Sequence, residues 1–351
     1  MGEEKSYHLV SMPMDLIFDR PASAEGEIDH TLRPKMLAEF VGQRSVRDNL
    51  RVFIDAAKGR GEHLEHVLFH GGPGLGKTTL AHILGNELGV KVHATTGPAL
   101  ERAGDMAAIL TNIGPREILF IDEIHRLRKT SEEMLYKAME DFGLDVMLGK
   151  GPTAKILRIN LHPFTLVGAT TKMNMLSAPL RDRFGMTFHL DFYELDDIQV
   201  ILERSAKLLQ VPLDTHALRE VAKRGRRTPR IANRLLKRVR DYVQVHKLHP
   251  VTPEVVRALL LKLDIDELGL DATDRRILKS IMTQFRGGPV GLKTLAAATG
   301  EELTTLENVY EPYLLQLGFL ERTPRGRAAT QMAYQHLGEN SKFEIRNSKL
   351  L

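Results

Sequence analysis

The chain has 351 residues, 42% of them hydrophobic, and a net charge of +4. That is enough chain for two or three domains with their own cores, and too little charge for a polycation that coats nucleic acid indiscriminately. It has no cysteine, which excludes disulfides, thiolate metal sites and a cysteine nucleophile. No apolar run approaches the roughly 20 residues of a membrane helix. The N-terminus carries acids early and no cleavage site after an apolar core, so the expectation is a cytoplasmic protein with no membrane segment.

Residues 1–30 read as an acidic N-terminal extension without periodicity. Leu37, Phe40 and Val41, then Val46, Leu50, Phe53 and Ile54, recur at helical spacing. HVLFH, VKVHATT, ILFIDE and FTLVGATT are short apolar strands, separated by helical stretches such as LAHILGNELG and SEEMLYKAMEDF. That alternation predicts an α/β domain over 31–191, a parallel sheet with helices on both faces. After Asp191 the strand signal stops. DDIQVILERSAKLLQ, THALREVAKRG, RIANRLLKRVRDYVQVHK and TPEVVRALLLKL predict a helical domain over 192–265. Over 266–340, three helical runs are followed by an apolar strand and the Gly/Pro/Arg turn of FLERTPRGRAAT, the order of a winged helix. Residues 341–351 form a tail to which no role is assigned.

Gly71-Gly72-Pro73-Gly74-Leu75-Gly76-Lys77-Thr78 fills every required position of G-x-x-x-x-G-K-[ST], with a strand before it and a helix after. Glycines let successive N–H groups turn inward onto phosphate oxygens, and the helix adds its positive end. Lys77 supplies a point charge and Thr78 a hydroxyl for Mg²⁺. ILFIDE then ends a strand on two acids: Asp122 to hold Mg²⁺ through water, Glu123 to orient and deprotonate the attacking water. Adjacent acids also occur as plain helix caps; the phosphate loop upstream favours the site. Thr170 or Thr171 can hold the water or the γ-phosphate. Arg181 and Arg183 are candidates for an arginine finger, and Arg230 begins a helix under which a nucleotide can lie. Any one of these arginines can equally be a solvated surface charge.

Together, GGPGLGKT, FIDEIH, GATT, PLRDRFG, a helical lid with an arginine and a winged helix resemble the AAA+ ATPases. Within them, DEIHRL, FTLVGATT, APLRDRFG and TPRGRAAT are similar to the Holliday-junction branch-migration motors, over about Leu32 to Gly338. The resemblance implies an AAA+ P-loop parallel sheet, a helical lid domain and a C-terminal winged-helix domain. It implies an ATP-driven DNA translocase of recombination and repair, with ATP and Mg²⁺ as cofactors and Thr78 and Asp122 at the metal. By position, Leu32 and Arg33 would lie near the adenine, with Gly74, Lys77, Thr78 and Thr79 on the phosphates. Glu140, Asp141, Phe142 and Tyr193 match nucleotide-contacting positions. Arg183 matches a finger that reaches a neighbouring subunit, and Arg230 a sensor in the lid of its own. A finger in trans implies a homo-hexameric ring. Holliday-junction DNA and RuvA are the implied partners, with RuvC in a larger complex. Gly72 departs from the family's usual proline, which loosens the loop but keeps its N–H groups.

Between Leu144 and Leu161, two β-prone runs flank Gly149-Lys150-Gly151-Pro152 and predict a hairpin. Val146, Met147 and Leu148 put apolar groups near its turn. Alone they suit a hairpin buried in its own core; the resemblance implies that they dock RuvA. Arg322, Arg325 and Arg327 in ERTPRGR, with Arg286 and Lys293 nearby, suit phosphate contacts without sequence preference. Winged helices also bind protein, and the resemblance matches Arg322 and Arg327 to DNA-contacting positions. Ten basic residues between Arg219 and Arg240 face one acid, Glu220, and read as a solvated or neighbour-packing face. Three other readings share the ATP site. A clamp-loader-like ATPase would end in a helical collar, and an ATP-switched initiator would also carry a winged helix. A protein-remodelling ring would show an aromatic pore loop where this chain has TTGPALERAGDMAAIL.

Overall fold

A computed structural model describes residues 31–148 and 155–338, with backbone alone at 146–148, 155 and 156. The N-terminal extension, the hairpin tip at 149–152 and the tail at 341–351 lie outside the described residues. The chain divides into two units, residues 1–34 and 35–351. Thr31–Pro34 is the described part of the first, which holds Leu32 and Arg33; the second holds all the elements that follow.

The central sheet is β1 (Val67–Gly71), β2 (Val92–Thr96), β3 (Ile118–Asp122), β6 (Thr165–Thr170) and β7 (Met186–Leu190), in the order β2-β3-β6-β1-β7. Every pairing is parallel. β6 is buried along its whole length and β3 along all but its last residue, which is why both read as unbroken apolar runs. Side chains alternate between two cores. Val67, Phe69, Ile118 and Phe120 face α1 (Arg44–Arg60) and α2 (Lys77–Leu88), whereas Leu68, Leu119 and Ile121 face α3 (Ala103–Thr111) and α4 (Lys129–Asp141). On α1 the buried Val46, Leu50, Ile54 and Ala57 recur every three or four residues, one apolar stripe.

The sequence runs named four of these strands; the fifth, β7, is a correction. Among the described residues it is an edge strand with β1 as its single partner. Its exposed and buried residues alternate over only five positions, too short to stand out.

Four helices follow: α6 (Leu195–Leu208), α7 (Thr215–Arg224), α8 (Pro229–His246) and α9 (Pro253–Lys262), after the single turn α5 (Ala178–Arg181). Their apolar faces continue the α1/α2 core, so the lid shares hydrophobic burial with the sheet lobe. The last lobe has its own core. It contains α10 (Ala272–Thr283), α11 (Leu292–Thr299), a helical run whose middle is the π-turn Leu306–Tyr310, α12 (Glu311–Gln316), and the antiparallel wing β8 (Leu320–Thr323) and β9 (Gly326–Ala329). A short α13 (Gln331–His336) closes it. The fold is thus an AAA+-type parallel sheet with a helical lid and a winged helix.

Candidate functional site

The phosphate loop joins β1 to α2. Gly74 and Gly76 hold φ +75° and +107°, left-handed angles that glycine adopts without steric cost. A Cβ on Gly74 would lie 2.9 Å from both Arg230 Cβ and Thr228 Cγ2, and one on Gly76 would lie 3.2 Å from the Phe40 ring. The loop is therefore bare backbone pressed between the lid and Phe40, with the N-terminus of α2 behind it. Lys77 is buried, and its Nζ donates to Gly71 O and Gly72 O at 2.9 and 2.7 Å. Burial pushes its amino group down to about 8, against the pull of Asp122. Thr78 Oγ1 donates to Asp122 Oδ2 at 3.2 Å. A hydroxyl beside a carboxylate is a donor set that suits a hard divalent cation, and a glycine cradle that a Cβ would fill suits a phosphate chain. Thr79 follows in the first turn of α2. From the start of the lid, Tyr193 donates its hydroxyl to Leu75 O at 3.1 Å.

Glu123 sits just beyond β3 in a left-handed conformation, φ 49°, a strained state that persists only where the surroundings impose it. Its N–H donates to Asp122 Oδ1 at 2.9 Å, and its Oε2 accepts from Arg126 Nη1 at 2.9 Å. β6 lies between β3 and β1, so Thr170 ends beside both. Its Oγ1 is 2.9 Å from His125 Nδ1. Burial holds His125 below its ordinary value, so the ring is neutral at pH 7. Thr171 is exposed. Lys77, Thr78, Asp122, Glu123 and Thr170 thus gather at the C-terminal edge of the sheet, where open α/β sheets bind ligands.

Arg183 does not join them. It precedes β7, whose first residue Met186 pairs with Val67 at the start of β1, whereas the phosphate loop leaves the end of β1. A five-residue strand separates the two by about 15 Å. On its own edge Arg183 pairs with Glu140 at 2.7 Å, donates to Pro179 O at 2.8 Å and lies 5.0 Å from the Tyr136 ring centroid. Its Nε is buried with no partner among the described residues. Glu140, Asp141 and Phe142 share this edge: Asp141 pairs with Arg158 at 3.4 Å, and Phe142 lies edge-on to His63 and Phe164. No hydrogen bond or ion pair joins any of the three to Lys77 among the described residues. Arg181, also exposed, pairs with Asp182 at 3.6 Å.

The hairpin strands β4 (Gly143–Leu148) and β5 (Lys155–Asn160) form a separate antiparallel pair. Leu144 and Ile159 pack its root onto the α3/α4 core, while Leu157 is exposed. The side chains of Val146, Met147 and Leu148 lie outside the described residues.

In the wing, Arg322 and Arg327 stand directly opposite each other across β8 and β9. Like charges in that register repel, and Glu311, fully buried at the start of α12, answers both. Its Oε1 accepts from Arg322 Nε at 2.7 Å and Arg327 Nε at 2.9 Å, and its Oε2 from Arg327 Nη2 at 3.3 Å. Burial pushes Glu311 up, but those two arginines prevail and hold it below the usual carboxylate range. Arg322 is 57% exposed and Arg327 22%. Arg322 spends only Nε on Glu311, leaving its Nη pair without a protein partner among the described residues. Arg325 is exposed at the turn, as are Arg286 and Lys293 nearby.

Three family models cover the chain almost end to end: the Holliday junction DNA helicase RuvB P-loop domain over residues 32–190, the RuvB AAA lid domain over 193–266 and the RuvB C-terminal winged helix domain over 267–338. The chain belongs to the RuvB family. It is 58% identical over 322 residues to the Holliday junction branch migration complex subunit RuvB of Dehalococcoides mccartyi (strain CBDB1), covering 92% of each chain. It superposes on the Thermotoga maritima RuvB Holliday junction branch migration motor with a TM-score of 0.81, at 52% identity over 88% of this chain and 98% of that one. A variant of the same Thermotoga protein gives 0.82 with equal coverage.

Around this RuvB-type site, several residues carried no sequence signal for what they do. Phe40 and Thr228 enclose the phosphate loop from distant segments. Gln43 exchanges two hydrogen bonds with the backbone of Asp191. Glu311 gathers the wing arginines. The basic run over 219–240 is not wholly a solvated face: Arg224 is buried against Glu220, and Arg226 against Asp271 and Asp274 of the winged-helix lobe.

Proposed function

We propose that this chain is the ATP-driven motor of Holliday-junction branch migration in recombination and DNA repair, working as a homo-hexameric ring. The split site carries the reading: phosphate loop, Asp122 and Glu123 lie on one edge of the sheet, Arg183 on the other, and a winged helix with outward arginines on the same chain. A site of that kind is completed by the next copy in a ring. RuvB-family membership and the relatives' names supply the junction.

In this reading the domains span 31–191, 192–265 and 266–340. Lys77 and the N–H groups from Gly74 to Thr79 hold the phosphates of ATP, with Tyr193 at a nucleotide-contacting position; the family resemblance gives Leu32 and Arg33 to the adenine. Mg²⁺ held by Thr78 and Asp122 would neutralise phosphate charge. Glu123 takes the proton of the attacking water, and Thr170, tied to His125, orients that water, with Thr171 beside it. Arg183, steadied by Glu140 and Tyr136, enters the neighbour's site with Asp141 and Phe142 on the same edge. There it stabilises the charge on the transferring phosphoryl group, an effect of about 10³ or more in rate. Arg230 reports nucleotide to the lid. Arg322, Arg325 and Arg327 grip DNA phosphates without reading bases, as a translocase over any sequence requires. RuvA docks at Val146, Met147 and Leu148, and RuvC joins the larger complex.

The test is conversion of a labelled four-way junction into duplexes, with and without RuvA, beside a Glu123→Gln control. Conversion that needs ATP and Glu123 supports the motor. Hydrolysis that leaves the junction intact in both conditions favours a clamp-loader or switch instead.

A further inference from the structure

β6 does not stop at Thr170 in what it touches. Two residues on, the Lys172 N–H donates to Thr170 Oγ1 at 2.9 Å, the same oxygen that meets His125. The Lys172 side chain then crosses to the winged-helix lobe, where Nζ donates to Glu307 Oε2 at 2.8 Å. The two side chains are 24% and 40% exposed, so water screens the pair only in part. Glu307 lies in the π-turn Leu306–Tyr310, directly before α12. Such turns are rare and concentrate at functional positions. α12 opens on Glu311, the anchor of Arg322 and Arg327. Glu307 therefore stands between the polar end of the ATP site and the base of the wing, and its charge also reaches Arg322.

We propose that Lys172 and Glu307 are a positioning pair: they tie the end of β6 to the turn carrying the arginine anchor, so that DNA affinity follows nucleotide state. This rests on the reading that Thr170 answers to nucleotide and that the wing grips DNA. Neither residue touches phosphate or DNA in that scheme. The pair acts through Thr170 on one side and Glu311 on the other.

The measurement is the Kd of the full chain for a short labelled duplex, taken with a non-hydrolysable ATP analogue and with ADP. With duplex held more tightly in the ATP state, the ratio of the ADP value to the analogue value exceeds one, and it cancels any general gain or loss of positive charge near the wing. Lys172→Glu and Glu307→Lys are each expected to lower that ratio by about two- to fivefold, the range of a partly screened ion pair, and Glu307→Gln by about twofold. Combining Lys172→Glu with Glu307→Lys restores the attraction with its sign reversed and is expected to return the ratio to the wild-type value. ATP hydrolysis without DNA stays unchanged in Glu307→Gln and Glu307→Lys, which leave Lys172 and Thr170 in place. Single variants with the wild-type ratio, or a double variant as poor as the product of the singles, overturn the pair's role while leaving the motor intact. A wild-type protein that binds no duplex in either state overturns the motor reading, and the pair with it.

Discussion

Arg226→Met tests how the lid is joined to the winged helix. Arg226 is 4% exposed; its Nη2 bonds Asp271 at 3.0 Å and also Asp274, its Nε donates to Gly269 O at 2.8 Å, and its guanidinium lies 5.3 Å from the Tyr313 ring centroid. Methionine fills similar volume but leaves two buried carboxylates facing each other. Removing one partner of a buried ion pair costs about 3–5 kcal/mol. Proton uptake relieves part of that cost. Burial already pushes Asp274 above the carboxylate range despite the pull of Arg226, and without the arginine it rises further. The variant's folded state then binds a proton that its unfolded state releases, so its deficit shrinks as pH falls. The chain has no tryptophan, and Tyr310, Tyr313 and Tyr334 lie in the winged-helix core. These are three of seven tyrosines, so tyrosine emission in urea reports that lobe together with the lobes that hold Tyr136, Tyr193 and Tyr242. The expected result is a midpoint lowered by at least about 1 M urea at pH 8, with a deficit smaller by about 1 kcal/mol or more at pH 5.5. An unshifted midpoint, or a deficit identical at both pH values, would refute the reasoning.

Three further outcomes follow from single sites. Gly74→Ala sets a Cβ at φ +75° and 2.9 Å from Arg230 and Thr228, so ATP affinity by calorimetry should fall about tenfold or more; affinity within twofold of wild type contradicts the cradle. Arg183→Ala should leave ATP binding intact and lower hydrolysis by about 10³, and parallel losses of both would place the arginine in its own site. His66 accepts the Leu166 N–H at Nδ1, donates from Nε2 to Met139 O, and is driven by burial down to about 4. Its folded value lies below the unfolded 6.5, so stability present above pH 6.5 is lost as pH falls towards 4, roughly 3 kcal/mol in all. His66→Gln should flatten the stability profile across that window, and an unchanged slope would exclude His66 as the cause.

The phosphate loop was legible because covalent spacing alone places Lys77, Thr78 and their strand and helix. Asp122, Glu123 and Thr170 were legible for a similar reason: each ends an apolar run, and a parallel sheet brings such ends to one edge. Long-range partners were not. Nothing near Arg226 announces Asp271 and Asp274, 45 and 48 residues later, so it passed for one more charge in a basic run. Glu311 carries no local signal, because its burial depends on arginines 11 and 16 residues on. Glu140, Asp141 and Phe142 came from resemblance alone, and their distance from Lys77 is a matter of topology that no local pattern encodes.

The most direct measurement is ATP hydrolysis by mixed subunits. Glu123→Gln and Arg183→Ala are each expected to be inactive alone. In a random equimolar ring, about a quarter of sites would pair an intact Glu123 with a neighbour's intact Arg183. The mixture should therefore recover hydrolysis up to about that fraction of wild type. A mixture as inactive as its components would contradict a site shared between copies.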